Sequence, residues 1–321
     1  MDKGSKASPS AGPGLVKHRE TEANLGQRLA YGLFLALAHA VAIWPTRWLH
    51  GFSFLIYGLV YKVLGYRRRV VRQNLERSFP ARSPAERAEL ERGFYRYFSD
   101  FILESIKAVR LSRAEQQERF VFENPELVES LYEKGKSIVL VSGHYGNWEW
   151  STHFSLLFRH VSMAAYRPLA NPLFDGFMRR LRERHGTRLV PQEGIYRAFV
   201  ESMRAGRPVI AWFIADQSPS HQNGHWTRFL NQDTQFVLGP ARVARKTGQA
   251  FVFMGIDRVG RGRYRGRFEL LAEDASRHSE AELVEGFARW LEARIEAEPR
   301  LWLWTHKRWK RGRPQAPPAG A

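Results

Sequence analysis

The hydrophobic pattern divides the chain into stretches of different character. Up to about residue 24 there is no apolar periodicity. The run 3–14 contains only Lys, Gly, Ser, Ala and Pro, so residues 1–24 read as a disordered leader. From 29 to 44 the chain is apolar apart from His39 and small residues, and no formal charge falls between Arg28 and Arg47. A second uncharged stretch, 48–61, is rich in Phe, Leu, Ile and Tyr. A full membrane span needs roughly 20 apolar residues, so each stretch is short for one. Arg28 precedes the pair, Lys62, Arg67, Arg68 and Arg69 follow it, and Trp44, Trp48, Tyr57, Tyr61 and Tyr66 mark the ends like an aromatic belt. Residues 25–66 are therefore expected to form a helical, membrane-anchoring region. A pair of buried core helices would give the same pattern. Ala38-His39-Ala40 also resembles a signal-peptide cleavage site, although the apolar region starts far from Met1 and a second stretch follows at once.

Beyond it, residues 67–120 read as helices. Leu90, Phe94, Tyr97, Phe101 and Ile102 recur at three-to-four spacing, and Ser83-Pro84-Ala85-Glu86 supplies an N-cap, a first-turn proline and a capping glutamate. Then the period changes. Ser137-Ile138-Val139-Leu140-Val141 is a short apolar run suited to a buried strand, and similar runs follow at 161–166, 188–190, 208–215 and 250–256, with a last strand near 264–271. Helical patterns lie between and after them, at 171–185, 194–204, 239–247 and 280–298. Strands alternating with helices predict an α/β layered fold with a largely parallel central sheet flanked by helices, preceded by the N-terminal helical membrane-anchoring region.

Length and composition narrow this picture. At roughly 150 residues per domain, 321 residues make one large domain or two smaller ones. The expected organisation is the leader 1–24, the apolar region 25–66, a domain at 67–310 with a helical part 67–120 and an α/β core 121–310, and a flexible tail 311–321. A 44% hydrophobic content excludes disorder throughout. A mean hydropathy of −0.43 excludes a bundle of many transmembrane helices. With no cysteine there is no disulfide, thiolate zinc site, iron–sulfur cluster or Cys nucleophile. The 50 Lys+Arg against 32 Asp+Glu give a net charge of +18, which suggests a phosphate-bearing or acidic partner: nucleic acid, anionic lipid or an acidic carrier protein.

The chain contains no Gly-x-Ser-x-Gly elbow, Walker loop or His-Glu-x-x-His helix. The glycine-rich run at 260–266 lies between two predicted strands and reads as a basic hairpin turn. The sequence after the strand at 137–141, Ser142-Gly143-His144-Tyr145-Gly146-Asn147-Trp148-Glu149-Trp150, carries more chemistry. His144 sits at the carboxyl end of a strand, where open α/β sheets place their ligands. Glu149 is expected in the first turn of the next helix. A His with a carboxylate behind it is a general base with a fixed tautomer and a stabilised imidazolium, able to deprotonate a hydroxyl for direct attack on an acyl group. The alternative is a helix cap beside a surface residue.

The His-x-x-x-x-Glu pattern resembles the lysophospholipid acyltransferase superfamily, and within it the bacterial lipid A biosynthesis (lauroyl and myristoyl) acyltransferase family. Further blocks share the resemblance, which covers about 29–310: Tyr66-Arg67-Arg68-Arg69-Val70-Val71-Arg72-Gln73-Asn74-Leu75 with Phe79-Pro80; Tyr166-Arg167-Pro168 with Asn171-Pro172; Asp216-Gln217-Ser218-Pro219 and the stretch 229–234; and Leu303-Trp304-Thr305-His306-Lys307-Arg308-Trp309-Lys310. The resemblance implies an enzyme at the cytoplasmic face of the bacterial inner membrane. It would move a fatty acyl chain from acyl carrier protein, or from coenzyme A, to a hydroxyl of a glycolipid, without metal or other cofactor. It implies His144 as base and Glu149 as its orienting partner. Arg167 would stabilise oxyanion charge or hold an acceptor phosphate, or else form a structural ion pair with Asp216. Asp216 would pair with Arg167 or near His144, and Asn147 would be a helix cap or a donor near the site. The anionic membrane, the acidic carrier and a phosphorylated acceptor then account for the charge. The cluster Lys307, Arg308, Lys310, Arg311 and Arg313 beside Trp302, Trp304 and Trp309 would lie at the membrane interface or form a solvated basic face. A basic nucleic-acid-binding protein is the rival reading. It explains the charge but leaves the apolar region 29–64 and the His144–Glu149 arrangement unused.

Overall fold

The computed structural model describes residues 24–219 and 224–313. Most of the expected leader and tail lies outside these residues. The described chain opens with two apolar helices, α1 (Leu25–Ile43) and α2 (Thr46–Tyr57), continued by a π-helical turn at Gly58–Val63. Asn24 caps α1 in a reciprocal capping box with Gln27. Leu25, Leu29, Leu33 and Leu37 form a stripe on α1 that is more than half exposed, and Trp48, Phe54 and Leu55 extend the apolar surface along α2. By length and composition, α1 is the one helix among the described residues able to cross a membrane.

Three helices follow: α3 (Arg68–Ser78), α4 (Pro84–Lys107) and α5 (Arg113–Arg119). The expected Ser83–Glu86 capping box starts α4. This long helix is the platform on which α1, α2 and α3 pack. At the carboxyl end of α1, Lys107 Nζ donates to the carbonyls of Ala42 (2.8 Å) and Trp44 (3.1 Å), binding acceptors the helix leaves open.

The rest alternates, as the period change predicts: β1 (Phe120–Phe122), α6 (Pro125–Glu133), β2 (Ile138–Ser142), a 3₁₀ segment Trp150–Leu156, β3 (Val161–Tyr166), α7 (Pro172–Glu183), β4 (Arg188–Pro191), α8 (Ile195–Arg204), β5 (Val209–Ile214), β6 (Gly224–Phe229), β7 (Gln232–Val237), α9 (Gly239–Thr247), β8 (Ala250–Gly260), β9 (Arg263–Ala272) and α10 (Glu280–Ala297). The central sheet has seven strands in the order β1-β9-β8-β2-β5-β3-β4. From β8 to β4 every pairing is parallel, whereas β8 and β9 form an antiparallel hairpin. The glycine-rich run is the turn of that hairpin. The strand β1 and the small antiparallel pair β6–β7 were not anticipated. β1 has only three residues, β6 reads Gly, His, Trp, Thr, Arg, and the buried residues of β7, Thr234, Gln235 and Phe236, are mostly polar.

Side chains fix the two layers over the sheet. Trp212 of β5 meets Phe154, and Phe120 of β1 meets His153, so the 3₁₀ segment covers one face. Phe253 of β8 packs on Phe287 and Trp290 of α10, which covers the other. Of the residues after α10 that one sequence reading put at a membrane interface, Lys307, Lys310 and Arg313 are exposed, but the others it relied on are not all at the surface. Trp302, Trp304 and Arg308 are buried. Asn74 of α3 donates to the carbonyls of Trp304 and His306, and Arg67 to that of Thr305, so the first and last family-like blocks are bound to each other.

Candidate active site

Strands β2 and β5 are parallel neighbours with Ser142 opposite Ile214. Two residues beyond each lie His144 and Asp216, so equal offsets from one register bring the two side chains together at the carboxyl edge of the sheet. His144 Nδ1 is 2.6 Å from Asp216 Oδ1, and the His144 backbone N–H donates to Oδ2 at 3.0 Å. Trp302 Nε1 donates to Oδ2 at 2.8 Å. Burial opposes charge on Asp216, but His144 and these donors outweigh it and hold the carboxyl down at about 2. An ionised carboxylate only accepts, so Nδ1 carries a hydrogen, and in the neutral ring Nε2 is the nitrogen with the lone pair. The amide of Gln217, 3.3 Å from Nε2, fits that assignment as a donor.

The backbone between the strand and Glu149 is tightly enclosed. A Cβ on Gly143 would lie 2.8 Å from Leu291 Cδ1, and one on Gly146, whose φ is +62°, would lie 2.6 Å from Ile256 Cγ2. The C-terminal segment braces the same loop: Gly146 N–H donates to the Leu301 carbonyl and Leu303 N–H to that of His144. Trp148 stands edge-on to the imidazole with ring centres 5.1 Å apart.

Glu149 takes a different place from the one expected. Residues 145–149 are loop, and Glu149 precedes the 3₁₀ segment instead of entering an α-helix. Its carboxylate is bound by Arg182 of α7, with Nε at 3.0 Å from Oε2 and Nη2 at 2.5 Å from Oε1, and by Trp148 Nε1 at 3.2 Å. Burial raises its pKa, but Arg182 dominates and leaves it lowered. The orienting contact on His144 therefore comes from Asp216, because a bidentate arginine holds Glu149. Nor does Arg167 pair with Asp216, whose oxygens are taken by His144 and Trp302. Arg167 is exposed at the rim. Asn147 is fully buried and serves as a cap: its Oδ1 accepts from Trp150 N–H at 3.1 Å, and its Nδ2 donates to Glu104.

His144, Glu149, Arg167, Arg182 and Gln217 line a cavity of about 1050 Å³ that runs over the ends of β3, β4 and β5. Its far wall is apolar, with Leu189, Ile195, Trp212, Ile214, Leu238 and Val243, and Arg242 and Lys246 of α9 stand at its border. Sequence reasoning gave no role in the site to Gln217, Arg182 or Trp302, the last of which it set at a membrane interface or on a basic face. Gln217 adjoins Asp216 in one quoted block, which was a usable signal. The other two reach the site from distant elements, which no local spacing reveals.

The site thus consists of a His–Asp pair at the strand ends of a mostly parallel α/β sheet, opening into a part-apolar cavity. The family model for bacterial lipid A biosynthesis acyltransferases matches residues 17–311, and the chain belongs to that family. Membership implies an acyltransferase acting on a lipid. No curated protein matches the chain significantly.

Proposed function

We propose that this protein transfers a fatty acyl chain from a thioester on acyl carrier protein, or on coenzyme A, to a hydroxyl of a lipid A precursor or related glycolipid. The observation that carries the proposal is the His144–Asp216 pair with the Nε2 lone pair facing the cavity. Nε2 takes the proton of the acceptor hydroxyl as its oxygen attacks the thioester carbonyl. The tetrahedral intermediate then collapses, the carbon–sulfur bond breaks, and the imidazolium returns its proton to the departing thiolate. Asp216 fixes the tautomer and stabilises the imidazolium. Both substrates are held together, with no acyl-enzyme and no metal or other cofactor. Glu149 acts at one remove, holding Arg182 in the cavity wall. Arg182 and Arg167 face the developing oxyanion or an acceptor phosphate, and the apolar wall receives the acyl chain.

The exposed apolar surface of α1 and α2 seats the protein on the bacterial inner membrane, with the α/β core on the cytoplasmic face. At about 1.5 Å per residue, the 19 residues of α1 span about 28 Å, close to the hydrocarbon core. The deciding experiment incubates purified protein with radiolabelled acyl carrier thioester and a lipid A precursor. Label should pass to an ester on the lipid. Label trapped on the protein after incubation with donor alone would contradict direct transfer.

A further inference from the structure

We propose that Glu104 is a positioning residue, setting the loop that carries His144 and tying that loop to the seating of the N-terminal helices. The inference rests on the acyl-transfer reading of the site. Glu104 lies on α4, is 1% exposed, and among the described residues its carboxylate has His50 as its ion-pair partner and no arginine or lysine within salt-bridge distance. Three neutral or titratable donors surround it instead. Oε2 accepts from Asn147 Nδ2 and from Tyr264 OH, both at 2.7 Å, and Oε1 lies 3.0 Å from His50 Nε2. Its backbone carbonyl accepts from Trp150 Nε1 at 2.8 Å. The three partners of the carboxylate come from three separate parts of the fold: α2, the loop 143–149, and β9. A buried carboxylate is costly unless its lone pairs are filled, so the three partners are held in one arrangement. Asn147 is the link to chemistry. Its side-chain oxygen accepts from Trp150 N–H, and it stands three residues from His144. His50 is the link to α2. Displacing α2 withdraws His50 from Glu104 and loosens the hold on Asn147.

The network allows a test that moves the charge while preserving the bonds. Glu104→Gln leaves one oxygen where there were two, so at least one of Asn147 Nδ2, Tyr264 OH and His50 Nε2 meets an amide N–H in place of a carboxylate oxygen. Asn147→Asp sets two carboxylates together. The double variant Glu104→Gln/Asn147→Asp restores one donor facing one acceptor. For wild type, both single variants and the double, kcat and KM for acyl transfer are measured, with backbone amide exchange across 143–150 and 49–57. Each single variant should lose about 10–100-fold in kcat with KM within about twofold, as small misplacements of catalytic groups do. Each should also exchange faster in those two segments while the central strands keep their protection. The double variant should recover most of both. Unchanged exchange in the loop, protection lost throughout the sheet, or a double variant no better than the singles overturns the proposal. If Glu104→Gln does not fold, Asn147→Ala leaves His50 and Tyr264 on the carboxylate and carries the same comparison. A wild-type protein that transfers no acyl group defeats the reading of the site, while amide exchange still decides whether Glu104 holds the loop.

Discussion

At the scale of single residues, the account turns on which carboxylate touches His144. Proximity in sequence favours Glu149, yet the bond is made by Asp216, 72 residues away. The reason is topological: β2 and β5 are neighbours in space, and a parallel crossover separates neighbours widely along the chain. His144→Ala should lower turnover by about 10²–10⁴-fold, the usual share of a general base. Asp216→Asn should fall in the same range, because an amide no longer enforces Nδ1–H and the base loses its tautomer. Glu149→Gln keeps an acceptor for Arg182 and leaves the His144–Asp216 bond intact, so it should cost less than Asp216→Asn. Steady-state kinetics on the three purified variants give the ranking. A Glu149→Gln loss that exceeds that of Asp216→Asn would return the orienting role to Glu149.

At the scale of elements, the apolar hairpin does more than present a greasy surface. Tyr57, Ser53 and His50 of α2 are buried against α4. Ser53 Oγ donates to Asp100 Oδ1, and Arg261 from the β8–β9 turn closes on the same carboxylate. On α1, Phe34 packs on Phe174 and Phe177 of α7, the helix that holds Arg182. Removing the residues before Tyr66 would uncover the apolar face of α4 and take Ser53 from Asp100, His50 from Glu104 and the Ala42 and Trp44 carbonyls from Lys107. The truncated protein is therefore expected to aggregate and not to appear as a soluble monomer. Size-exclusion chromatography after detergent removal checks this, and a monodisperse, folded truncation would contradict it. Lys107→Met is the milder form of the same change. It should lower stability by about 1–3 kcal/mol through the orphaned carbonyls of Ala42 and Trp44, read from denaturant melts.

These elements also show what a sequence can and cannot convey. Strands β2, β3 and β5 were legible because a buried parallel strand is a continuous apolar run bounded by turns. Helices α4, α9 and α10 were legible from their periods and end signals. β6–β7 was not, because Gly, His, Thr, Gln and Asp dominate it and its buried residues, Phe229 and Thr234–Phe236, neither alternate nor form an apolar run. The fate of residues 301–308 was also hidden. Trp beside Arg suits both a membrane interface and a core where the arginine finds carbonyls. Only the tertiary contacts of Trp302 with Asp216 and of Arg308 with the Gln235 carbonyl decide for the core.

At the scale of the whole molecule, burial of neutral histidines sets the response to acid. Burial drives His185 and His306 down to about 4, each with nearby cations adding to the effect. Unfolded, both titrate near their ordinary value of about 6.5. Between about pH 6.5 and 4 the unfolded chain therefore binds more protons than the folded one, and stability falls as pH falls through that window. Asp216, held at about 2, contributes stability that is lost only below about pH 4, as its unfolded and then its folded carboxyl protonates. Melting temperatures at a series of pH values should drop between 6.5 and 4, and His306→Asn should flatten part of the slope. A curve flat across that window would show that these rings are not kept neutral by the fold.

The same scale holds the claim on which the function depends, that a His144–Asp216 pair moves an acyl group directly onto a lipid hydroxyl. The most direct measurement is mass spectrometry of a lipid A precursor after incubation with purified wild-type or His144→Ala protein and an acyl carrier thioester. The account predicts a new acyl ester with the wild type, reduced by about 10²–10⁴-fold with His144→Ala, both proteins giving the same melting curve. Acyl ester formed at equal rates by the two proteins, or none formed by the wild type on any phosphorylated glycolipid offered, would contradict it.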